Sequence, residues 1–164
     1  MVQTSIPTAF DARGHDHAAC VNAALDHADR LCAERGLRLT PIRRRVLELV
    51  WSNHKPSKAY DLLNRIRDEH HAAAPPTVYR ALDFLLDAGL VHRIESLNAF
   101  VGCDGDHGRA PPKFLICQAC DHVAELAGGH VDEAIDRATD AVGFQVEGSV
   151  VELRGLCAGC AAQR

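Results

Sequence analysis

Several features that would place a protein in a common class are missing from this sequence. No apolar run approaches the roughly 20 residues that a membrane-spanning helix needs, and residues 1–19 lack the charged-then-apolar pattern of a secretory signal. We therefore expect a cytoplasmic protein. An overall positive charge is also missing, since the net charge is −4. The 164 residues, 47% of them apolar, are enough for one large domain or two small ones.

Cysteine is plentiful by comparison. The count of seven is odd, and without a secretory signal this favours reduced thiols that bind metal over disulfides. Four of the seven form two Cys-x-x-Cys pairs, Cys117 with Cys120 and Cys157 with Cys160. Because Zn²⁺ favours closed four-thiolate sites in structural roles, these four residues predict a structural zinc. The 36 residues between Cys120 and Cys157 predict a small subdomain that brings the pairs together.

The charges are distributed unevenly. Residues 1–96 carry 13 Lys and Arg against 12 Asp and Glu, a net charge of +1, whereas residues 97–164 carry 5 against 10, a net charge of −5. Between Arg35 and Tyr60 there are seven basic residues and one acidic residue, Glu48. A local basic stripe suits contacts with nucleic-acid phosphates. Taken alone, the same run would also fit a solvated helix face.

The apolar spacing in the first half predicts a series of helices. They cover about 21–35, a stretch from 41 onward, 59–70 and 77–88. Gly36 and Gly89 are typical helix ends. Thr40 is expected to cap the second helix, with Pro41 in its first turn.

A hairpin is predicted to follow the helices. Strand-like runs at 90–94 and 99–101 flank the turn Ser96-Leu97-Asn98. Helices followed by such a hairpin describe a winged helix-turn-helix. Its recognition helix would present Thr77, Tyr79 and Arg80 near the N-terminal end, where arginine can grip the O6 and N7 atoms of guanine.

The second half is predicted to form a small α/β dimerisation domain. We expect strands at 114–116 and 122–126, a helix over 131–142 and a long strand over 144–153. Pairing with a second copy would cover the sheet edge, and the resulting two-fold axis would match two DNA half-sites. The expected fold is α+β, with the following organisation: a flexible N-terminal extension 1–20, a winged-helix DNA-binding domain 21–103, a hinge loop 104–112, and a dimerisation and metal-binding domain 113–164.

Several motifs together resemble the ferric uptake regulator family, and within it the zinc uptake regulators. They are Arg38-Leu39-Thr40-Pro41 with Arg43, Ala59-Tyr60-Asp61-Leu62-Leu63, Pro75-Pro76-Thr77-Val78-Tyr79-Arg80-Ala81-Leu82 and both Cys-x-x-Cys pairs, in that order. The resemblance implies a homodimeric bacterial repressor of zinc uptake and homeostasis genes. Its zinc-loaded form would bind an AT-rich palindromic operator, with one or two dimers per operator. Tyr60 and Arg80 would contact bases, and the predicted DNA surface also includes Arg43, Arg44, Lys58, Thr77 and Tyr79.

A second, regulatory zinc is predicted across the domain boundary. Its ligands would be His92 and Cys103 on the hairpin, His107 in the connecting loop and Glu125 beyond the first cysteine pair. Imidazole and thiolate ligands suit Zn²⁺. The resemblance implies a His, Cys, His, Glu set at these positions, although the family's second histidine stands nearer the Cys-x-x-Cys than His107 does. About two zinc ions per protomer are expected, and a further site near His122 or His130 stays open.

Other functions remain as alternatives. A zinc hydrolase or deaminase needs an open coordination position, and the deaminases pair Pro-Cys-x-x-Cys with His-x-Glu, neither of which occurs in this sequence. A redox switch would use exposed cysteines of low pKa. An iron-, manganese- or peroxide-responsive regulator of the same family is the nearer alternative. Against iron, the histidine-rich run of the iron regulators is replaced by Ala110-Pro111-Pro112-Lys113.

Overall fold

A computed structural model describes residues 10, 17–52, 55–69, 74–103, 111–126 and 129–163. Residues 17–103 belong to one compact unit, the N-terminal unit, and residues 111–163 belong to a second, the C-terminal unit. Most of the predicted extension 1–20 and of the predicted hinge 104–112 lies outside the described residues. Phe10, which is described, belongs to the C-terminal unit, where it lines an apolar cavity of about 160 Å³ beside Leu115 and Leu153. None of the described helices is long and apolar enough to cross a membrane.

Four helices form the core of the N-terminal unit. They are α1 (His17–Glu34), α2 (Pro41–Trp51), α3 (Ala59–Glu69) and α4 (Pro75–Asp87). Apolar residues at helical spacing place one face of each helix in a shared core. Its fully buried members include Val46, Leu49, Leu62, Ile66, Leu82 and Leu85.

The helix ends agree only partly with the sequence. Gly36 and Gly89 have φ of +64° and +74°, the left-handed conformation expected of a glycine after a helix. Thr40 is the N-cap residue of α2 and Pro41 lies in its first turn, as predicted, but the Thr40 side chain makes no capping hydrogen bond. The Arg44 backbone N–H instead donates to the Thr40 carbonyl over 2.9 Å. Helix α4 begins at Pro75, two residues before the predicted start, because the first turn of a helix accepts proline.

A two-stranded hairpin completes the N-terminal unit. Strand β1 (Val91–Ile94) runs antiparallel to β2 (Ala99–Gly102), and we call residues 91–102 the wing. A 3₁₀ turn over Glu95–Leu97 and Asn98, with φ of +46°, connect the strands. The wing is fastened to the chain ahead of α3, since Ser57 and Phe100 exchange backbone hydrogen bonds of 2.8 and 2.9 Å. The predicted winged helix-turn-helix is therefore confirmed.

The C-terminal unit is built on a three-stranded sheet. Its elements are β3 (Lys113–Cys117), β4 (Val123–Glu125), α5 (His130–Asp140), β5 (Val151–Gly155) and α6 (Ala158–Ala161). The strand order is β4-β3-β5, with β4 antiparallel and β5 parallel to the central β3. A parallel neighbour needs a crossover connection, which contains α5. The mixed helix-and-sheet fold class is as predicted.

The predicted long strand over 144–153 was wrong. Only Val151–Gly155 forms a strand, and residues 144–150 pair with none of the strands in the described part of the chain. Phe144 and Val150 are 64% and 67% exposed. Alternating apolar residues indicate a half-buried strand only where a neighbouring strand and a covering face exist. A single copy of the described chain supplies neither for this segment. The helix predicted over 131–142 ends at Asp140, so Val142 lies past α5, and it is 77% exposed.

A buried ion pair connects the sheet to α5. Lys113 Nζ lies 2.7 Å from an Asp132 carboxylate oxygen and donates a longer hydrogen bond, 3.3 Å, to the carbonyl of Pro111. The Lys113 side chain is buried at the first residue of β3. An ammonium group in this position needs its carboxylate partner, because an unpaired charge is costly to bury.

Candidate metal centre and nucleic-acid interface

The four cysteines of the two Cys-x-x-Cys pairs come together in the C-terminal unit. Cys117 ends β3, Cys120 lies in the turn after it, Cys157 directly precedes α6 and Cys160 lies within that helix. All four sulfur atoms lie within 4.8 Å of one another. The parallel pairing of β3 with β5, which sets Cys117 opposite Gly155, brings the two pairs to the same end of the sheet.

The pKa values of these thiols indicate that the four can ionise together only beside a cation. The Cys157 backbone N–H donates to the Cys117 sulfur over 3.3 Å, and this bond lowers the pKa of Cys117 to about 6. The Cys157 thiol, through its hydrogen bond, raises the pKa of Cys160 to about 12. Thiols this close cannot all ionise unless a positive charge compensates them. A divalent cation that accepts four thiolates in a tetrahedron supplies that charge, and Zn²⁺ fits this donor set.

Within the described residues, this is the one group of at least three histidine, cysteine or acidic side chains close enough to share an ion. Four thiolates fill a tetrahedron, so the group could hold a structural metal. Such a closed site leaves no coordination position for an activated water.

The candidate regulatory ligands are placed in separate parts of the chain. His92 lies on β1, and Cys103 follows β2 and donates its backbone N–H to the Leu90 carbonyl over 3.2 Å. Continuing the strand register sets Cys103 opposite Leu90, so Cys103 and His92 share one face of the wing. The Nε2 atom of His92 and the Cys103 side chain are both buried. Glu125 ends β4 in the C-terminal unit, and His107 lies outside the described residues.

Three predicted DNA-binding residues line a single cleft in the N-terminal unit. The cleft has a volume of about 310 Å³ and is lined by the start of α3, by the face of α4 that carries Tyr79, Asp83 and Leu86, and by the wing. We call it the aromatic cleft; its lining includes Lys58, Tyr60, Tyr79, Asp83, Arg93 and Asn98. Tyr60 and Tyr79 are 66% and 53% exposed, which is unusual for aromatic side chains that pack only within their own chain. Thr77 and Arg80 are exposed on the first turns of α4.

The structure does not bring Arg43 and Arg44 to this cleft. The guanidinium of Arg43 stacks over the Phe84 ring at 3.6 Å from its centroid and donates to the Arg38 carbonyl over 2.6 Å. Arg44 forms an ion pair with Asp29. The arginine run of α2 therefore makes intramolecular contacts within the N-terminal unit.

Arg45, the third member of that run, is also paired. It lies 2.6 Å from Glu48 and donates to Glu69 over 2.8 Å. These carboxylates, with Glu69 as the largest contributor, raise its pKa above the usual arginine range. Arg43, Arg44 and Arg45 thus each have a partner within the N-terminal unit, which a count of basic residues along the sequence does not show.

Sequence reasoning missed Arg93 and Asn98 as residues of the cleft. The sequence contained a signal for Asn98, because asparagine tolerates the left-handed conformation and is common at turns. Its position at the tip of a predicted hairpin, five residues after an arginine, could have indicated a side-chain contact. The actual pairing depends on the 3₁₀ turn, which the sequence pattern did not predict.

Comparisons with known proteins show the family of the chain. The model of the ferric uptake regulator family matches residues 34–154. The zinc uptake regulation protein of Escherichia coli K12 is 41% identical over 137 residues, which cover 83% of this chain and 80% of that protein.

Solved structures give the same result. A zinc uptake regulator complexed with zinc and DNA is 39% identical, with a TM-score of 0.81 over 87% of this chain and 96% of that one. Holo XcZur is 47% identical, with a TM-score of 0.77 over 86% and 99% of the two chains. The chain therefore belongs to the ferric uptake regulator family.

Proposed function

We propose that this protein is a zinc-responsive, DNA-binding transcriptional repressor of zinc uptake and homeostasis genes. The observation that carries the proposal is the winged helix-turn-helix with two exposed tyrosines and a lysine at its aromatic cleft. The four-thiolate group in the second unit supports a zinc protein of non-enzymatic type, because it is closed to substrate. Similarity to a zinc uptake regulator complexed with zinc and DNA supports the same function.

DNA recognition is assigned to the start of α4. A recognition helix enters the major groove with its N-terminal residues toward the base edges, and Thr77, Tyr79 and Arg80 occupy that position. Arg80 and Tyr60 contact bases in this proposal, and Lys58 contacts a phosphate. One good bidentate arginine contact contributes about 1–3 kcal/mol of discrimination.

The response to zinc is assigned to a second ion, distinct from the structural one. His92, Cys103, His107 and Glu125 are its ligands in this proposal, which gives about two zinc ions per protomer. A metal that binds residues of both units favours the arrangement of the units in which all four ligands can meet. Coupling of about 1–3 kcal/mol, or 5–150-fold in affinity, is typical of such linkage and is sufficient for a switch.

A homodimer is proposed from the surface of the C-terminal unit. Several large apolar side chains lie exposed along residues 142–153, namely Val142, Phe144, Val146, Val150 and Leu153. A monomer rarely exposes this many large apolar side chains within one segment. A second copy would cover it with two-fold symmetry, which suits a palindromic, AT-rich operator that binds one or two dimers.

Operator binding at buffered concentrations of Zn²⁺, Fe²⁺ and Mn²⁺ tests the function directly, with the metal content per protomer measured in parallel. We expect zinc to induce specific binding at the lowest free concentration, with about two ions bound. Equal binding in the absence of added metal would overturn the zinc-responsive role. Activation by Fe²⁺ or Mn²⁺ but not by Zn²⁺ would favour another regulator of the family.

A further inference from the structure

The wing presents an arginine whose guanidinium is held in place by two neighbouring side chains. Arg93 Nη2 donates to the Asn98 side-chain oxygen over 3.0 Å, and Arg93 Nε lies 3.4 Å from a Glu95 carboxylate oxygen. Both Arg93 and Asn98 line the aromatic cleft with Tyr60 and Tyr79. We propose that Arg93, oriented by Asn98, binds a DNA backbone phosphate while α4 occupies the major groove. This inference rests on the proposed DNA-binding function.

The position of Arg93 is fixed relative to α3. Arg93 pairs with Phe100 across the wing, and Phe100 exchanges two backbone hydrogen bonds with Ser57. Ser57 is followed by Lys58 and, at the start of α3, Tyr60. One hydrogen-bonded frame therefore carries the wing arginine and the first residues of α3. A phosphate contact by Arg93 would set the register of the other side chains on the duplex.

Asn98 supplies the orientation. Its φ of +46° lies in the left-handed region, which asparagine adopts more readily than most residues. The turn places its side-chain oxygen where it can accept a hydrogen bond from Arg93. A guanidinium has five N–H donors, so the contacts with Asn98 and Glu95 leave donors for a phosphate oxygen. An arginine that is already oriented loses less side-chain entropy when it binds.

Glu95 and Asp83 are the acidic groups close to this position. Glu95 pairs with Arg93, and Asp83 lines the same cleft as Arg93. A phosphate bound to Arg93 would lie near the Glu95 carboxylate and be repelled by it. Glu95 therefore weakens the contact, and we expect its neutralisation to strengthen DNA binding.

The first experiment measures the salt dependence of DNA affinity for the zinc-loaded, full-length protein. We expect Arg93→Ala to weaken binding by roughly tenfold on both operator and random duplex. The slope of log K against log salt should fall by about 0.9, the value for one lost phosphate contact. Arg30→Ala removes an exposed arginine of α1 and is the matched control, with an unchanged slope expected. An unchanged slope for Arg93→Ala, or a loss confined to one DNA sequence, would overturn the phosphate contact.

The second experiment separates orientation from charge. Asn98→Gly keeps a residue that accepts the left-handed backbone but removes the side-chain oxygen, and we expect binding to weaken by roughly threefold with an unchanged salt slope. Glu95→Gln should tighten binding to both duplexes. If Glu95→Gln tightens binding equally in the Arg93→Ala background, Glu95 acts independently of Arg93 and the proposed arrangement is wrong.

The two proposals fail in different ways. Wild-type protein that shows no zinc-dependent operator binding would contradict the proposed function itself. Wild-type protein that binds, with Arg93→Ala indistinguishable from it, would contradict only the role of Arg93. Equal zinc content and thermal stability of the variants exclude a merely structural effect.

Discussion

Gly102 at the end of β2 lies directly against the indole ring of Trp51 at the end of α2. A Cβ atom on Gly102 would overlap three atoms of that ring. The contact fixes how the last residue of the wing packs on the helical core, and the next residue is Cys103. The close approach explains why this position holds a residue without a side chain, although its backbone conformation does not require glycine.

Replacing Gly102 by alanine should destabilise the N-terminal unit by about 1–3 kcal/mol, the usual cost of overpacking a well-packed site. Thermal or denaturant unfolding measures this change. Gly148→Ala is the control, because a Cβ there meets no atom within 4 Å and no left-handed φ is involved. If Gly102→Ala and Gly148→Ala unfold alike, the indole does not constrain the strand.

The two proposed zinc sites should separate on mutation. Cys117→Ser removes a buried ligand of the four-thiolate group, so we expect lower folded yield and the loss of about one zinc ion. Cys103→Ser should preserve folding and weaken zinc-dependent operator binding. Metal analysis and circular dichroism of both variants make the comparison. Unfolding of both variants to the same extent would contradict a division between structural and regulatory zinc.

The pKa of Cys117 predicts a change in the pH dependence of zinc binding. Its folded-state pKa of about 6 is lower than the ordinary thiol value of 9.0, chiefly because the Cys157 N–H stabilises the thiolate. In the metal-free protein this stabilisation is fully present above pH 9, declines as pH falls and is lost below about pH 6. Above pH 6, zinc therefore displaces no proton from Cys117. Below pH 6, zinc binding displaces one additional proton, the one on the Cys117 thiol.

A competition titration with a chelator between pH 5 and 8 should show this additional proton. We expect the slope of log K for zinc against pH to steepen by about one unit as pH falls through 6. The Cys103→Ala variant provides a background in which the proposed regulatory site is impaired. A constant slope in that background would contradict the assigned pKa.

The sequence predicted the features that depend on residues close together in the chain better than the features that depend on distant residues. Helix spacing, the glycines after α1 and α4, and the Cys-x-x-Cys pairs are local signals, and each led to the observed element or cluster. The strand prediction for residues 144–150 failed because strand formation depends on a neighbouring strand that no local pattern specifies.

The contacts of the residues predicted to bind DNA divide in the same way. Tyr79 was predicted from its place near the N-terminal end of a helix and Tyr60 from the family resemblance, and both line the cleft. The ion pair of Arg44 was not predictable from the local sequence, because its partner Asp29 is 15 residues away on another helix. The contact between Arg93 and Asn98 depends on turn geometry, and side-chain pairing of this kind becomes visible only in three dimensions.

The ion pair between Lys113 and Asp132 should be necessary for the stability of the C-terminal unit. Asp132→Asn leaves the buried ammonium without its carboxylate, and we expect a loss of about 3–5 kcal/mol in the free energy of unfolding. Asp136→Asn, at an exposed position on the same helix, is the control. Lys113→Met in the Asp132→Asn background should recover much of the loss, since no unpaired charge is then buried. Equal stability of the two asparagine variants would show that Lys113 is not buried as described.

Arg80 and Arg44 should differ in what their removal affects. Arg80 is exposed on the first turns of α4, whereas Arg44 pairs with Asp29 between α2 and α1. Arg80→Ala should reduce discrimination between operator and random DNA by about 1–3 kcal/mol with unchanged unfolding. Arg44→Ala should leave discrimination unchanged and cost at most about 1 kcal/mol of stability, because exposed ion pairs contribute little. Binding to both duplexes and unfolding of each variant test the contrast, and full discrimination by Arg80→Ala would remove this residue from base recognition.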